Sequence, residues 1–124
     1  MKVKRIVPNI PAQDPPAAKR FYEECLGLQC LMDHGWILTY GNAETGGVQV
    51  SIASQGGSDT ATPDLSVEVD DVDEALRRMQ QAGFPVLYGP FDEPWGVRRF
   101  YVRDPFGRIV NILSHLRNEQ RDGG

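Results

Sequence analysis

Alternating hydrophobic and polar residues predict a series of short strands, and two longer segments show the apolar spacing of helices. The first strand is predicted at about residues 3–10, VKRIVPNI, since such alternation is typical of a strand with one buried face. A helix follows from Asp14, the expected N-cap, to Gly27. Its predicted apolar stripe consists of Ala18, Phe21, Tyr22, Cys25 and Leu26. Three further strands, LQCLMD, WILTYG and GGVQVSIA, complete a β-α-β-β-β order.

The same order returns after a polar, glycine-rich linker at residues 54–63. DLSVEVDD alternates as a strand does, and a helix is predicted from Asp71 to Gly83. Three more strands follow in PVLYGPF, GVRRFYVRD and GRIVNILSH. The segment DPFG between the last two has the residue preferences of a type I turn. The chain therefore contains two copies of one plan.

Two such units each cover one sheet face with a helix and leave the other face to be buried. The pattern predicts an α+β fold in which two βαβββ modules, residues 1–55 and 62–116, have mainly antiparallel sheets and close around a shared cleft. The whole chain, residues 1–124, is expected to be a single domain. Polar residues on otherwise apolar strands are expected to line the cleft. Asn111 in GRIVNILSH is the clearest example, because a buried amide must find hydrogen bonds.

Charge and composition exclude several classes of function. The chain has 13 Lys and Arg against 17 Asp and Glu, a net charge of −4, which argues against nucleic-acid binding and favours cationic partners. No apolar run is long enough to span a membrane, so no membrane partner is expected. The start MKVKRIVPN lacks the apolar core of a signal peptide, which predicts a cytoplasmic location. Two cysteines are too few for a disulfide framework or a thiolate zinc site.

Several motifs resemble those of the vicinal oxygen chelate superfamily, which includes glyoxalases, bleomycin resistance proteins and dioxygenases. They are LGL after FYEEC, VEVDDVDEAL and, most specifically, PWGVRRFYVRDPFGRIVNIL. The resemblance covers about residues 3–115 and implies the paired-module fold. In metal-dependent members it also implies four ligands, usually His or Glu, on the first and last strands of each half. The matching positions in this chain are Asn9, Gln49, Asp64 and Asn111.

Three amides and one carboxylate are a poor ligand set for a divalent ion. Transition ions prefer imidazole, thiolate or several carboxylates, and calcium or magnesium needs more negative charge than one aspartate supplies. His34 and His115 match none of the ligand positions and are expected to be exposed or capping residues. We therefore predict no bound metal, no cofactor and no catalytic residue. The chain is expected to lie nearer to the metal-free members that resemble bleomycin resistance proteins.

The predicted function is binding of a small molecule, such as an antibiotic or another cationic or aromatic ligand, in the cleft of a homodimer. Aromatic side chains supply stacking surface, although core packing is the commoner role of each except Trp95, which lies in a loop beside proline and glycine. The predicted ligand-contacting residues are Asn9, Trp36, Gln49, Asp64, Glu68, Trp95, Arg98 and Asn111.

Two alternatives stay open at the level of sequence. One is a metal-dependent lyase, isomerase or dioxygenase with an atypical, weakly binding ligand set in which Asp64 is the only anion. The other is a metal-free proton-transfer enzyme with Asp64 or Glu68 as base and Arg98 or Arg99 binding the substrate. The two arginines alternate along a strand, so at most one faces the cleft, and the sequence does not say which. The ligand also stays open, as does whether the cleft forms within one chain or across a swapped dimer.

Overall fold

The computed structural model describes residues 1–44 and 47–116. Its strands are β1 (Val3–Pro11), β2 (Gln29–Asp33), β3 (Ile37–Gly41), β4 (Gln49–Ala53), β5 (Leu65–Val69), β6 (Val86–Glu93), β7 (Val97–Arg103) and β8 (Ile109–His115). Its helical segments are a 3-10 turn (Pro15–Ala18), a π-helical segment (Lys19–Cys25) and the α-helix α1 (Val72–Gln81). The predicted α+β class and the repeated βαβββ order are confirmed. None of the described helices is long and apolar enough to cross a membrane.

The chain divides into two compact units. The N-terminal unit is Arg5–Ser66, and the described part of the C-terminal unit consists of Met1–Lys4 and residues 67–116. The first residues join the C-terminal unit through a backbone hydrogen bond, donated by Asp70 N to the carbonyl oxygen of Lys2 at 3.0 Å. The expected organisation of the whole chain as one domain stays a prediction.

The N-terminal unit contains the strand order β2-β3-β4-β1. The β2–β3 and β3–β4 pairs are antiparallel, and β1 pairs with β4 in parallel. Its buried core is formed by Leu38, Tyr40 and Ile52. The ring of Tyr22 stacks on that of Tyr40 with 6.0 Å between centroids. The π-helical segment therefore covers one face of this sheet.

The predicted apolar stripe of the first helix is only partly correct. Tyr22 and Ala18 pack against the core, whereas Phe21, Cys25 and Leu26 are exposed. The cause is the π-helical geometry, seen in the hydrogen bond from Leu26 N to Phe21 O at 3.2 Å, five residues back. A turn of this width takes more residues than an α-helical turn, so side chains at α-helical spacing no longer share one face.

The C-terminal unit contains the strand order β5-β8-β7-β6, with α1 packed on one face. Both β6–β7 and β7–β8 are antiparallel. Alternate residues of β7 and β8 face α1, and Phe100 among them is 0% exposed. The core between α1 and the sheet consists of Val69, Val72, Ala75, Phe100, Val102 and Ile112. Since side chains alternate along a strand, Arg99, Tyr101 and Asn111 point to the opposite side, which we call the site face.

The two helical regions begin at aspartates that behave differently. The carboxylate of Asp71 accepts a hydrogen bond from Glu74 N at 3.1 Å and caps α1. The side chain of Asp14 makes no capping hydrogen bond, contrary to expectation. The next two residues, Pro15 and Pro16, have no N–H to donate, and the first available donor, Ala17 N, bonds to the backbone oxygen of Asp14 at 3.0 Å.

We therefore expect Asp71→Ala to lower the free energy of unfolding by about 1 kcal/mol, the usual cost of a lost N-cap. Asp14→Ala is the matched control and should change the free energy by less than about 0.5 kcal/mol, as surface substitutions do. Urea unfolding followed by circular dichroism measures both. Equal losses for the two variants would contradict the assignment of the caps.

Candidate functional site

A buried arginine lies at the centre of the site face. Arg99 on β7 is 2% exposed. Its Nε donates a hydrogen bond to Glu93 Oε2 at 2.7 Å, and its Nη1 donates to the hydroxyl oxygen of Tyr101 at 2.8 Å. The hydroxyl of Tyr88 donates to the same Glu93 oxygen at 2.8 Å. The buried charge is thus both paired and hydrogen-bonded, as burial of a charge requires.

Three aromatic rings surround the same guanidinium. Arg99 Cζ lies 4.8 Å from the ring centroid of Trp95, 4.9 Å from that of Tyr101 and 5.3 Å from that of Tyr88. All three distances are within the range of cation–π attraction. Tyr101 is buried, whereas Tyr88 and Trp95 are partly exposed and present aromatic surface. We call Tyr88, Glu93, Trp95, Arg99 and Tyr101 the arginine cluster.

The cluster depends on an irregular strand pairing. Tyr88 and Glu93 are an odd number of residues apart, so in a regular strand they would point to opposite faces. In β6 the pairing register shifts between the partners Tyr88↔Tyr101 and Phe91↔Arg99, which leaves one extra residue on β6. A bulge of this kind reverses the alternation and brings Tyr88 and Glu93 to the same face. The bulge requires Gly89, because its φ is +81° and an added Cβ would lie 2.6 Å from the carbonyl oxygen of Arg99.

The hairpin turn between β6 and β7 positions Trp95. Gly96 has a φ of +94°, which favours glycine, and its N–H donates to Glu93 O at 3.1 Å. This tight turn folds Trp95 back over the guanidinium of Arg99. The loop position of Trp95 in the sequence predicts a ligand contact, and that contact stays a prediction.

The neighbouring arginine belongs to the other face. Arg98 Nε donates to Asp73 of α1 and its Nη1 donates to Asp92, both at 3.0 Å. Both hydrogen bonds raise the pKa of the Arg98 guanidinium above its usual value, and the bond to Asp92 has the larger effect. Of the two arginines, Arg99 is the one on the site face. A ligand contact by Arg98 stays a prediction.

A second polar group on the site face contains Glu68, His115 and Lys4. Glu68 on β5 is buried, and its Oε2 lies 2.8 Å from His115 Nδ1 and 3.8 Å from Lys4 Nζ. The side chain of His115 is 56% exposed, as the sequence suggested. Its pairing with Glu68 was not predicted, because the two residues are 47 positions apart. Strand alternation places Glu68 opposite the α1 side of β5, and that is the only sequence signal that could have indicated the pair.

Four predicted site residues lie in the N-terminal unit. Asn9 Nδ2 donates to Ser66 Oγ at 3.0 Å. Gln49 Oε1 accepts a hydrogen bond from Arg5 Nη1. Trp36 is partly buried and stacks on His34 with 6.3 Å between centroids, and Asp64 is exposed.

Two buried hydroxyl residues, which the sequence pattern did not predict as a group, lie beside Asn9 on the neighbouring strands. Asn9 pairs in register with Ser51 of β4, which pairs with Thr39 of β3. Ser51 and Thr39 are each 4% exposed, and their hydroxyl oxygens are 2.7 Å apart. The hydrogen bond between these two hydroxyls helps to hold β3 and β4 in register.

The residues at the metal positions of metal-dependent relatives do not fit a divalent ion. Asn9, Gln49 and Asn111 offer neutral amides, and Asp64 is the only carboxylate. The amide oxygen of Gln49, the atom it would offer to a cation, already accepts a hydrogen bond from the guanidinium of Arg5, which repels a positive ion. Within residues 1–44 and 47–116, no three His, Cys, Asp or Glu side chains are grouped so that they could hold a metal ion.

Comparisons with known proteins agree on the fold. The structure is similar to a hypothetical protein from Bacillus halodurans C-125, with a TM-score of 0.73, 11% identity and coverage of 94% of this chain and 97% of that one. It is similar to a chain described as NAD-dependent benzaldehyde dehydrogenase from Legionella pneumophila (TM-score 0.70, 16% identity, 89% and 98% coverage). It is also similar to methylmalonyl-CoA epimerase from Mycobacterium tuberculosis (TM-score 0.67, 14% identity, 96% and 91% coverage). At these identities the likeness concerns the fold alone.

A match to a family is more specific. No curated protein sequence matches the chain. A family model described as the Glyoxalase/Bleomycin resistance protein/Dioxygenase superfamily matches residues 2–112. This range includes β1 to β7, the helical segments and the first part of β8, and with them most of PWGVRRFYVRDPFGRIVNIL, on which the resemblance in the sequence rested. The chain belongs to the glyoxalase/bleomycin resistance protein/dioxygenase superfamily.

Proposed function

We propose that the protein binds a small molecule containing an aromatic ring at the arginine cluster, and that it does so without a metal ion. The observation that carries the proposal is the buried Arg99–Glu93 pair surrounded by three aromatic rings. A sheet can be packed with aliphatic residues at lower electrostatic cost than a buried ion pair. A rigid polar and aromatic group at the same place therefore favours a role in recognition.

The geometry suits a flat ligand. Trp95 and Tyr88 are partly exposed, so a planar ring can stack on the aromatic surface they present. Arg99 is held from several sides, which fixes the rings around it before a ligand arrives. Preorganised side chains lose little conformational entropy on binding.

We further propose that the ligand is cationic and that the protein forms a homodimer. The net charge of −4 favours encounter with a cationic aromatic compound, and an antibiotic sequestered in this way would be such a compound. Sequestration requires no reactive group, so we propose binding without turnover at the arginine cluster. Light scattering at micromolar concentration measures the homodimer directly.

Native mass spectrometry combined with elemental analysis tests the proposal on protein purified under mild conditions. We expect a retained organic mass, and metal far below one ion per chain. The organic mass should be lost in Trp95→Ala and kept in Phe106→Ala, which removes an aromatic ring that is 88% exposed in the turn between β7 and β8. A stoichiometric transition ion whose removal by chelator releases the organic mass would contradict the proposal.

A further inference from the structure

We infer that the exposed face of the π-helical segment is the contact surface between two copies of this chain, which pack antiparallel about a two-fold axis. The apolar centre of this face consists of Phe21, Cys25 and Leu26, which we call the helix patch. The inference rests on the proposed homodimer and deepens it, because it names the surface through which the two chains meet. It does not involve the arginine cluster.

The π-helical geometry brings the three side chains of the helix patch together. Hydrogen bonds in a π-helix join residues five positions apart, so side chains four and five positions apart are neighbours on its surface. Cys25 and Leu26 follow Phe21 at these two spacings, and Leu26 N donates to Phe21 O at 3.2 Å. Phe21 is 60% exposed, Leu26 is 59% exposed, and Cys25 is also exposed. Contiguous exposed apolar side chains indicate an interaction surface.

The ring of Phe21 is held in place before a partner arrives. It contacts the ring of Tyr22 edge to face, with 4.9 Å between centroids and 71° between planes. Tyr22 in turn stacks on Tyr40, which is buried in the core of the N-terminal unit. An exposed aromatic ring that is fixed in this way loses little conformational entropy on association. Aromatic anchors of this kind supply much of the binding energy of protein interfaces.

The charges along the segment favour a second copy of the chain as the partner. Basic Lys19 and Arg20 begin the segment, and acidic Glu23 and Glu24 lie near its end. Lys19 Nζ pairs with Glu23 Oε2 at 2.7 Å. Neither Arg20 nor Glu24 makes an ion pair within the part of the chain that the structure describes. This order of charges is the reverse of the one that a helix dipole favours, so local helix stability does not explain it.

Two segments packed antiparallel accommodate this order of charges. A two-fold axis between them places the basic start of each segment beside the acidic end of the other, so Arg20 of each protomer faces Glu24 of the partner subunit. The same axis brings the two helix patches against each other. The contact then has an apolar centre and a charged rim, as dimer interfaces do. A parallel arrangement would place like charges together.

Light scattering and analytical ultracentrifugation of the whole protein measure the effect of the helix patch. We expect the mass of a dimer for the wild-type protein at micromolar concentration. Phe21→Arg should raise the dissociation constant of the dimer about 30-fold, the usual effect of losing an interface hot spot. The matched control is Phe106→Arg, which changes a residue that is 88% exposed in the turn between β7 and β8 and should leave the constant unchanged.

Charge reversal tests the antiparallel arrangement. Arg20→Glu leaves two acidic residues on the rim, and Glu24→Arg leaves two basic ones. Each variant alone should be monomeric at concentrations at which the wild-type protein is dimeric, because like charges then face each other. An equimolar mixture of the two variants should form dimers again, which a local effect on folding would not allow. A mixture that stays monomeric would overturn the antiparallel arrangement.

Cross-linking with a short bismaleimide locates the contact without altering the helix patch. The two-fold axis brings Cys25 of the two protomers close together, so the wild-type protein and Cys30→Ser should be cross-linked, and Cys25→Ser should not. A monomeric wild-type protein would overturn this inference and the proposed homodimer together. A dimer that Phe21→Arg leaves intact, or one that is cross-linked through Cys30 alone, would overturn the interface and leave the homodimer standing.

Discussion

Replacement of Arg99 by methionine is expected to lower the free energy of unfolding by about 3–5 kcal/mol, the cost of breaking a buried ion pair by removing one partner. The side chains of Arg99 and Glu93 are 3% and 5% exposed, so water cannot solvate the carboxylate that the substitution leaves behind. Methionine keeps most of the side-chain volume, and the loss therefore reports charge and hydrogen bonding more than a cavity. Urea unfolding measured by circular dichroism provides the value.

The neighbouring arginine is the matched control. Arg98→Met removes ion pairs with Asp73 and Asp92, which are exposed, and should cost no more than about 1 kcal/mol. In the double variant Arg99→Met with Glu93→Leu, part of the lost stability should return, because an apolar pair can replace a buried ion pair. Equal losses at Arg98 and Arg99 would contradict the assignment of Arg99 to the buried site face.

Phe100→Ala is expected to lower the free energy of unfolding by a similar amount, about 3–5 kcal/mol, through loss of buried apolar surface and the cavity left behind. Phe100 is 0% exposed at the centre of the core between α1 and the sheet. Phe106, in the turn between β7 and β8, is 88% exposed, and Phe106→Ala should change stability by less than about 0.5 kcal/mol. A loss below about 1 kcal/mol for Phe100→Ala would contradict the packing described here.

The elements with a strong local signal were predicted well. The alternation in DLSVEVDD and the apolar spacing of DVDEALRRMQQAG correspond to β5 and α1. The predicted turn in DPFG closes with a hydrogen bond from Gly107 N to Asp104 O at 3.1 Å. These features depend on nearby residues, which the sequence displays directly.

Features that depend on long-range geometry could not be predicted. The residues of Lys19–Cys25 have a spacing that fits an α-helix, and nothing local indicates the wider π-helical turn. The bulge in β6 decides which side chains join Arg99, and one inserted residue reverses every later position on that strand. Alternation alone could not choose between Arg98 and Arg99, because it does not show which face of β7 packs against α1.

The candidate site was also only partly predictable from the sequence. The amides and the single carboxylate at the metal positions could be found by matching residues to the family motif. Their partners could not, because Arg5 reaches Gln49 across 44 positions and His115 reaches Glu68 across 47. Contacts between distant segments follow from strand order, which a single sequence does not reveal.

Metal-free binding of an aromatic ring at the arginine cluster is tested most directly by fluorescence titration of single-tryptophan variants in the presence of chelator. In Trp36→Phe only Trp95 reports, and in Trp95→Phe only Trp36 reports, since the chain has two tryptophans. The probes are acridine and its cationic relative 9-aminoacridine. We predict saturable quenching in Trp36→Phe and none in Trp95→Phe. Equal responses from both variants, or quenching of Trp95 only after a divalent metal is added, would contradict the account.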